Sequence, residues 1–495
     1  VAIAWATPAW AGGIDEVPDQ GAQALGRGAA FVAKADDPTA LYYNVAGLAR
    51  QRGTKLLASA NVSHSSLSFA RSGSYPDNPQ DPATPWGGHR FPKVENAGGP
   101  SVLPLLFATS DFGTERFTAG VGIFGPSVSG RTYPLGLKGA PSPARYDSVH
   151  SDTLIMLPTA GAAYSIAPWL DLGVSAHLVM ASYDEISIAY ADATPGMCKN
   201  AEYQPCDARG HFGGRATSFA ASLGVLLKPS DAIEIGAQLR SPTKLEATGE
   251  VASDTPKALG SGALPPAQGT LTMGLPAVLR VGTRYVRREA GVEVWDVEVD
   301  GIYERWGSAQ DPSLTGKGIG IGGTGATTIP VVHKWHDTFG VRVGGAYEIP
   351  FESGVMALRA GAYYDSSASD SAYTRLDFDT LPKIAGTLGF GYRRGAFAAN
   401  LAYAGVGDLT RVVTDGDVRP PNAAAGGAPI DSSNKPLPAV NNGTYSGFTH
   451  VLAMSVSVDF ETLILGPRQT SNSDFSSISR TRHKKPLAAT PSTIR

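Results

Sequence analysis

The sequence predicts an all-β protein: a transmembrane antiparallel β-barrel of about fourteen strands, with an N-terminal hatch folded as a plug inside the lumen. Three observations predict it. From about residue 54 to 460 the chain reads as amphipathic strands joined alternately by tight polar turns and long loops rich in Gly, Pro and Asn. Alternation has period two, as where Ile233, Ile235, Ala237 and Leu239 interleave with Glu234, Gly236, Gln238 and Arg240, so one set lies on each face of a sheet. A soluble sandwich would alternate too, and the placing of the aromatics separates the two. Tyr164, Trp169, Tyr285, Tyr347, Tyr392, Phe397 and Phe460 fall on the apolar face at strand ends beside short turns. That is a girdle at a membrane interface, where an amphipathic ring sits at headgroup level.

Composition narrows the class. The 495 residues carry a net charge of -3 and no basic patch with interleaved aromatics in the body, which argues against a nucleic-acid partner. The longest apolar runs, such as 102–108, fall far below the ~20 residues of a spanning helix. No linker divides the repeating strands, so one large closed unit is expected.

Residues 1–11 resemble the end of a secretory signal peptide, closed by the small-x-small site Ala9-Trp10-Ala11, although residue 1 is not Met and no basic region precedes the apolar stretch. Residues 12–53 do not alternate. Asp37 before Pro38 marks a helix start, extending to about Tyr43, and Leu25, Phe31, Val32, Leu41, Tyr42 and Leu48 demand burial, so this segment is expected to fold into the lumen.

Strands are expected at 54–70, 100–110, 116–124, 151–166, 169–190, 215–228, 233–252, 269–287, 292–306, 335–349, 355–367, 382–395, 397–415 and 443–460. Their connections alternate short and long, which puts the short turns and both termini on the periplasmic side and the long loops outside. On the inner face, Arg280 and Arg284 neighbour Asp296, Glu298 and Asp300, with Arg342 and Arg359 beyond, so opposite charges are expected to pair across the wall. Cys198 and Cys206 share one outer loop, and in an exported protein a local disulfide is expected there. Residues 461–495 form a Ser/Thr-rich basic tail with Arg480, Arg482, Lys484 and Lys485, expected to be disordered in the periplasm.

The run Gly21-Ala22-Gln23-Ala24-Leu25-Gly26-Arg27-Gly28-Ala29-Ala30, continuing through Ala35-Asp36-Asp37-Pro38-Thr39-Ala40-Leu41-Tyr42-Tyr43-Asn44-Val45-Ala46-Gly47-Leu48, resembles the hatch of the FadL-type long-chain fatty acid outer-membrane transporters. Collinear barrel segments are similar too: Leu275-Pro276 into Val281-Gly282-Thr283-Arg284-Tyr285, residues 296–306, 358–365, and Leu381-Pro382 into Gly389-Phe390-Gly391-Tyr392. The resemblance implies a monomeric plugged barrel in the outer membrane of a Gram-negative bacterium. Such a barrel takes up hydrophobic molecules passively, long-chain fatty acids first, and releases them sideways through a hole at an inward kink of the third strand. Its partners are then a hydrophobic ligand and outer-membrane lipid, with no nucleic acid and no cofactor. Gly120, Gly122 and Gly125-Pro126 suit such a kink, and Asn44, Val45 and Ala46 of the hatch are placed against it by the same resemblance. Residues expected to meet substrate are Ile14, Val17, Phe31, Phe124, Ile155, Leu157, Arg280, Arg342 and Arg359. Asn44-Val45-Ala46 departs from the family's Asn-Pro-Ala, and the outer loops at 191–214 and 253–268 are short and polar where known members use long apolar ones.

Other chemistry finds little support. Gly318-x-Gly320-x-x-Gly323 lacks the strand, helix and acid of a dinucleotide site and reads as a flexible outer loop. His333 and His336 read as exposed loop histidines, the acidic loop tip Asp415-Gly416-Asp417 as solvated, and no metal site is expected. His177 is lumen-facing, but no Ser/His/acid grouping stands out, so no enzyme is expected. The alternatives are a polar-solute porin, which the apolar hatch argues against, and a structural or adhesin barrel.

Overall fold

The computed structural model describes residues 20–77, 84–309, 311–319, 326–378 and 381–465. Residues 1–11, where a signal-peptide remnant was expected, and the tail beyond 465 lie outside the described residues.

Fourteen antiparallel strands close into a barrel, the first, Thr54–Ser65, pairing with the last, Phe448–Asp459, from Lys55↔Asp459 to Ser65↔Thr449. Between them run Ser101–Ser110, Phe117–Thr132, His150–Ala167, Leu170–Tyr190 and Asp207–Ser230 as strands two to six. The seventh has two halves, Ile233–Arg240 and Thr243–Thr255, and so has the eighth, Ala267–Leu275 and Val278–Glu289. Val292–Glu304, Thr338–Phe351, Gly354–Asp365, Lys383–Arg394 and Phe397–Asp408 complete the wall. The breaks coincide at Pro242 and Pro276, residues that cannot donate to a ladder.

Below the breaks the wall is apolar outside and polar inside. In Val278–Glu289 the residues Leu279, Val281 and Tyr285 are exposed while Arg280 and Arg284 are buried inward. Lipid, not water, must therefore face the outside. Above the breaks the pattern inverts: Leu245, Ala247 and Val251 turn inward, and Lys244, Glu246 and Glu250 face out. An antiparallel strand needs only about 9–11 residues to cross a bilayer, so most of the 24-residue sixth strand stands in water as an outer collar. Six of the seven girdle aromatics are exposed on the wall; Tyr392 is half-buried, its hydroxyl donating to the Ser353 carbonyl across the turn (3.1 Å).

Several strand bounds differ from expectation because outer segments pair where irregular loops would leave backbone groups unsatisfied. The third and sixth strands are longer, reaching Thr132 and starting at Asp207. The first strand ends at Ser65, and Ser68–Arg71 instead joins a small outer sheet with Val94–Glu95, Arg411–Val413 and Gly443–Ser446. Within the loop at 307–334, Ser313–Lys317 and Ala326–Pro330 form a hairpin that extends the wall beside the eighth strand. Gly320 and Gly323 of the glycine motif lie outside the described residues. The last strand stops at Asp459, and Phe460–Leu465 is helical rather than disordered, with Thr462 N–H donating to Asp459 Oδ1 (3.1 Å).

Outer loops are tied together by a buried ion network. Arg145 pairs with Glu202 and Asp207, each at 2.8 Å, and Arg71 reaches Glu202 at 2.7 Å. Cys198 and Cys206 are disulfide-bonded beside it, with Cα atoms 6.1 Å apart. Mass spectrometry of non-reduced peptides from outer-membrane protein is expected to recover the 198–206 linkage; two free thiols would contradict it.

Candidate functional site

Residues 20–53 thread across the barrel interior, and Leu25, Phe31, Val32, Leu41, Tyr42 and Leu48 are all buried. The short helix Ala40–Tyr43 follows a turn in which Asp37 Oδ1 accepts the Thr39 N–H (2.8 Å). Three carboxylates of the ninth strand hold this segment. Arg27, fully buried, pairs with Asp296 (2.7 Å) and Glu298 (3.1 Å). The N–H groups of Phe31 and Val32 donate to Asp300 Oδ2 (2.8 and 3.0 Å), and that of Ala33 donates to Glu298 Oε1 (2.6 Å). Only part of the expected wall pairing is present: Arg284 does reach Asp296 (2.6 Å) and Glu234 (2.8 Å), whereas Asp300 and Glu298 are turned to the hatch. Arg342 pairs with Asp365 (2.7 Å), Arg359 donates to Asn400 Oδ1 (3.0 Å), and Arg280 stacks over the Tyr42 ring at 4.5 Å.

Asn44 is a second anchor. Its Oδ1 accepts from Ala46 N–H (3.2 Å) at the start of the 3-10 helix Val45–Arg50, and its Nδ2 donates to the Val32 and Val225 carbonyls, each at 2.9 Å. Val45 N–H donates to Gln238 Oε1 (2.8 Å), and Gln238 Nε2 returns a bond to Tyr42 O (2.7 Å). A proline at position 45 would have no such donor, which explains how this chain uses its departure from Asn-Pro-Ala. Asn44, Val45 and Ala46 thus pack against strands four to seven, at Gly161, Gly173, Gly224 and Gly236, rather than at the third-strand bulge where they were expected, although the helix Val45–Arg50 that they open also touches the third strand. A Cβ on Gly173 of the fifth strand would stand 2.6 Å from Ala46 N, so the approach there requires glycine.

The third strand is regular where Gly120 and Gly122 lie, since they pair with Thr109 and Phe107 on one side and with Gly161 and Thr159 on the other. These glycines make room for inward neighbours, Thr109 beside Gly120 and the Phe107 ring beside Gly122, and so are not an opening. Beyond Leu106↔Ile123 pairing with the second strand stops, and the register with the fourth strand slips between Phe124 and Ser127. Gly125 lies at this bulge, and its carbonyl accepts from Gln20 Nε2 of the hatch (2.8 Å). Phe124 packs edge-on to Tyr42 (5.3 Å) and stacks on Phe107 (6.0 Å). Leu157 and Ile155 of the fourth strand lie opposite Phe124 and Ser127 on either side of the bulge, and Phe31 joins the same buried cluster through Tyr43 (5.3 Å) and Tyr42. Ile14 and Val17 lie outside the described residues.

Above the hatch is a cavity of about 540 Å³, and none of the expected substrate residues lines it. Tyr183, Phe212, Val251, Leu271 and Met273 contribute from collar strands, and Tyr146, Asp147, Phe378 and Val418 from outer loops. Its signal was the phase inversion of residues 243–255 and 267–275, where apolar side chains move to the inner face. At its rim Arg375 bridges Asp147 (3.0 Å) and Asp377 (3.3 Å). Burial pushes the Asp147 carboxyl up to about 6, although Arg375 opposes it. Burial also opposes ionisation of Asp377, but the His333 and Arg375 charges overcome it and hold this carboxyl below the usual range. His333 is fully buried, bonded to Asp377 (3.1 Å) and 4.8 Å from the Trp335 ring, so it is not an exposed loop histidine. His336 is half-buried, and Asp415 accepts from Ser371 Oγ (3.0 Å). Lumenal His177 bonds Thr159 and Ser222 hydroxyls, both at 2.7 Å.

The sequence profile of a family described as outer membrane protein transport protein (OMPP1/FadL/TodX) matches residues 2–394. The chain belongs to this family. A search of curated proteins finds no significant match. Among solved structures, a Pseudomonas aeruginosa FadL homologue superposes with a TM-score of 0.70 at 17% identity, over 92% of this chain and 100% of that one. The Pseudomonas putida toluene transporter TodX gives 0.64 at 17%, over 92% and 100%. CymD, a monoaromatic hydrocarbon channel, gives 0.61 at 16%, over 90% and 98%. At these identities the likeness carries the fold, and the family carries outer-membrane location and transport.

In this transporter Arg27→Ala is expected to leave buried Glu298 without its guanidinium and to destabilise the packed hatch by about 3–5 kcal/mol. Urea unfolding of the refolded barrel, with planar-bilayer conductance alongside, checks it: the variant is expected to show new, fluctuating conductance. Native stability and a silent trace would show that Arg27 does not anchor the hatch.

Proposed function

We propose that this transporter takes up hydrophobic compounds passively, with long-chain fatty acids as the substrate class, and releases them sideways into the membrane beside the third strand. Residues 12–53 act as the plug, the barrel works as a monomer, and no cofactor takes part. The observation that carries the reading is the end of the ladder at Leu106↔Ile123, next to the bulge at Gly125 and the apolar cluster around Phe124. Unpaired backbone facing lipid is costly, so an interruption at this depth calls for a use. Lateral release also keeps an acyl chain out of water, which would cost about 0.8 kcal/mol for each methylene. An apolar cavity of about 540 Å³ above the hatch suits capture of such a chain.

A Cβ on Gly125 would stand 2.5 Å from the Ile155 carbonyl oxygen, 3.0 Å from Leu103 Cδ1 and 3.1 Å from Met156 Sδ, so a larger residue would crowd the interruption and push the third strand off the fourth. Gly125→Leu is expected to lower uptake of labelled oleate at least about tenfold in cells lacking their own transporter, while heat-modifiable gel mobility stays native. A folded variant that transports at the native rate would place the exit elsewhere. Labelled toluene in the same cells tests the aromatic alternative, and large steady conductance in the native protein would favour a polar-solute porin.

A further inference from the structure

We propose that Arg280 receives the anionic head of an amphipathic acid, so that the lumen distinguishes ionised acids from neutral hydrophobes. This deepens the uptake reading and rests on it. Arg280 points inward from the eighth strand and is only 3% exposed. Its guanidinium lies 4.5 Å over the Tyr42 ring, and its Nη1 has no hydrogen-bond partner among the described residues. The neighbouring lumenal arginines are matched: Arg27 by Asp296 and Glu298, Arg284 by Glu234 and Asp296, Arg342 by Asp365. A cation buried without a carboxylate is costly, and an arriving anion would offset that cost.

The space for it is present. A cavity of about 30 Å³ is lined by Arg280, Arg342, Lys383, Glu304 and Asp365, with Tyr42 of the hatch beside them. Both acids in this lining are engaged, Asp365 with Arg342 (2.7 Å) and Glu304 as acceptor from Trp306 Nε1 (2.7 Å). The three cations of this lining outnumber its two carboxylates, and among the described residues neither carboxylate is bonded to Arg280. The volume admits the oxygens of one carboxylate or a little water, and a guanidinium fork matches a carboxylate edge. The acyl chain also has a direction to run. Trp306 packs on Trp335 (4.9 Å), Trp335 on Phe378 (6.2 Å), and Phe378 lines the large apolar cavity. Head at Arg280 and tail along these rings would orient the acid above the hatch.

The test compares oleate with oleyl alcohol, the same chain without the charge, binding to the refolded full chain in non-ionic detergent at alkaline pH. The native protein is expected to prefer the acid. Arg280→Gln should reduce the acid-over-alcohol ratio about tenfold or more, and Arg280→Lys should retain part of it. Heat-modifiable mobility verifies each fold, and the native comparison stands even if a variant misfolds. Equal binding of both ligands by native protein, or an undiminished ratio in folded Arg280→Gln, would overturn the head-group site and leave water alone in the cavity. Native protein that binds neither ligand would instead overturn the uptake reading itself, and the head-group site with it.

Discussion

Three carboxylates on one strand organise the interior of this barrel. Asp296, Glu298 and Asp300 occupy alternate, inward positions of the ninth strand, so they rise as a column over about 14 Å of wall. Buried acids without partners would be prohibitive, and the wall alone does not satisfy them. The N-terminal segment does, supplying the Arg27 guanidinium and the consecutive N–H groups of Phe31, Val32 and Ala33. Plug and barrel are therefore each incomplete without the other. Removing one side would leave charge stranded in a low-dielectric lumen, which is why the contact specifies a single position for the hatch.

From that docking the remaining geometry follows. With Arg27 fixed, the chain passes close along the wall to Asn44, which ties a 3-10 turn to strands six and seven through Val225 and Gln238. The other end of the hatch then places Gln20 at Gly125, where the third strand has lost its partner. One segment thus touches both the anchoring column and the interrupted wall. Any movement that frees Gln20 from Gly125 must be accommodated by the buried core around Tyr42, Tyr43 and Phe124.

The wall carries two hydropathy regimes in one continuous sheet. Where lipid is outside, apolar side chains face out and arginines face in; in the outer collar the surrounding medium is water and the faces exchange. The exchange happens at Pro242 and Pro276, where broken pairing lets the inward parity change from even to odd positions. Its product is an apolar chamber under polar loops, above a charged lumen floor on which the N-terminal segment packs. Arg280 stands between these regions over Tyr42.

Local pattern by itself determined the closed all-β wall, its alternating short and long connections, the outward girdle and the burial of the N-terminal apolar residues, because strand parity and turn chemistry are properties of near neighbours. What it could not carry is which partner each inward charge takes. Asp300 turned to the hatch backbone and not to Arg342, and Gly120 made room for neighbouring side chains and not for an exit. Those outcomes depend on residues hundreds of positions apart meeting across the lumen, as Arg27 meets Asp296. The interruption at Gly125 is of the same kind: a bulge is visible as Gly-Pro, but whether the neighbouring strand still pairs with it is decided only when the barrel closes and the hatch is in place.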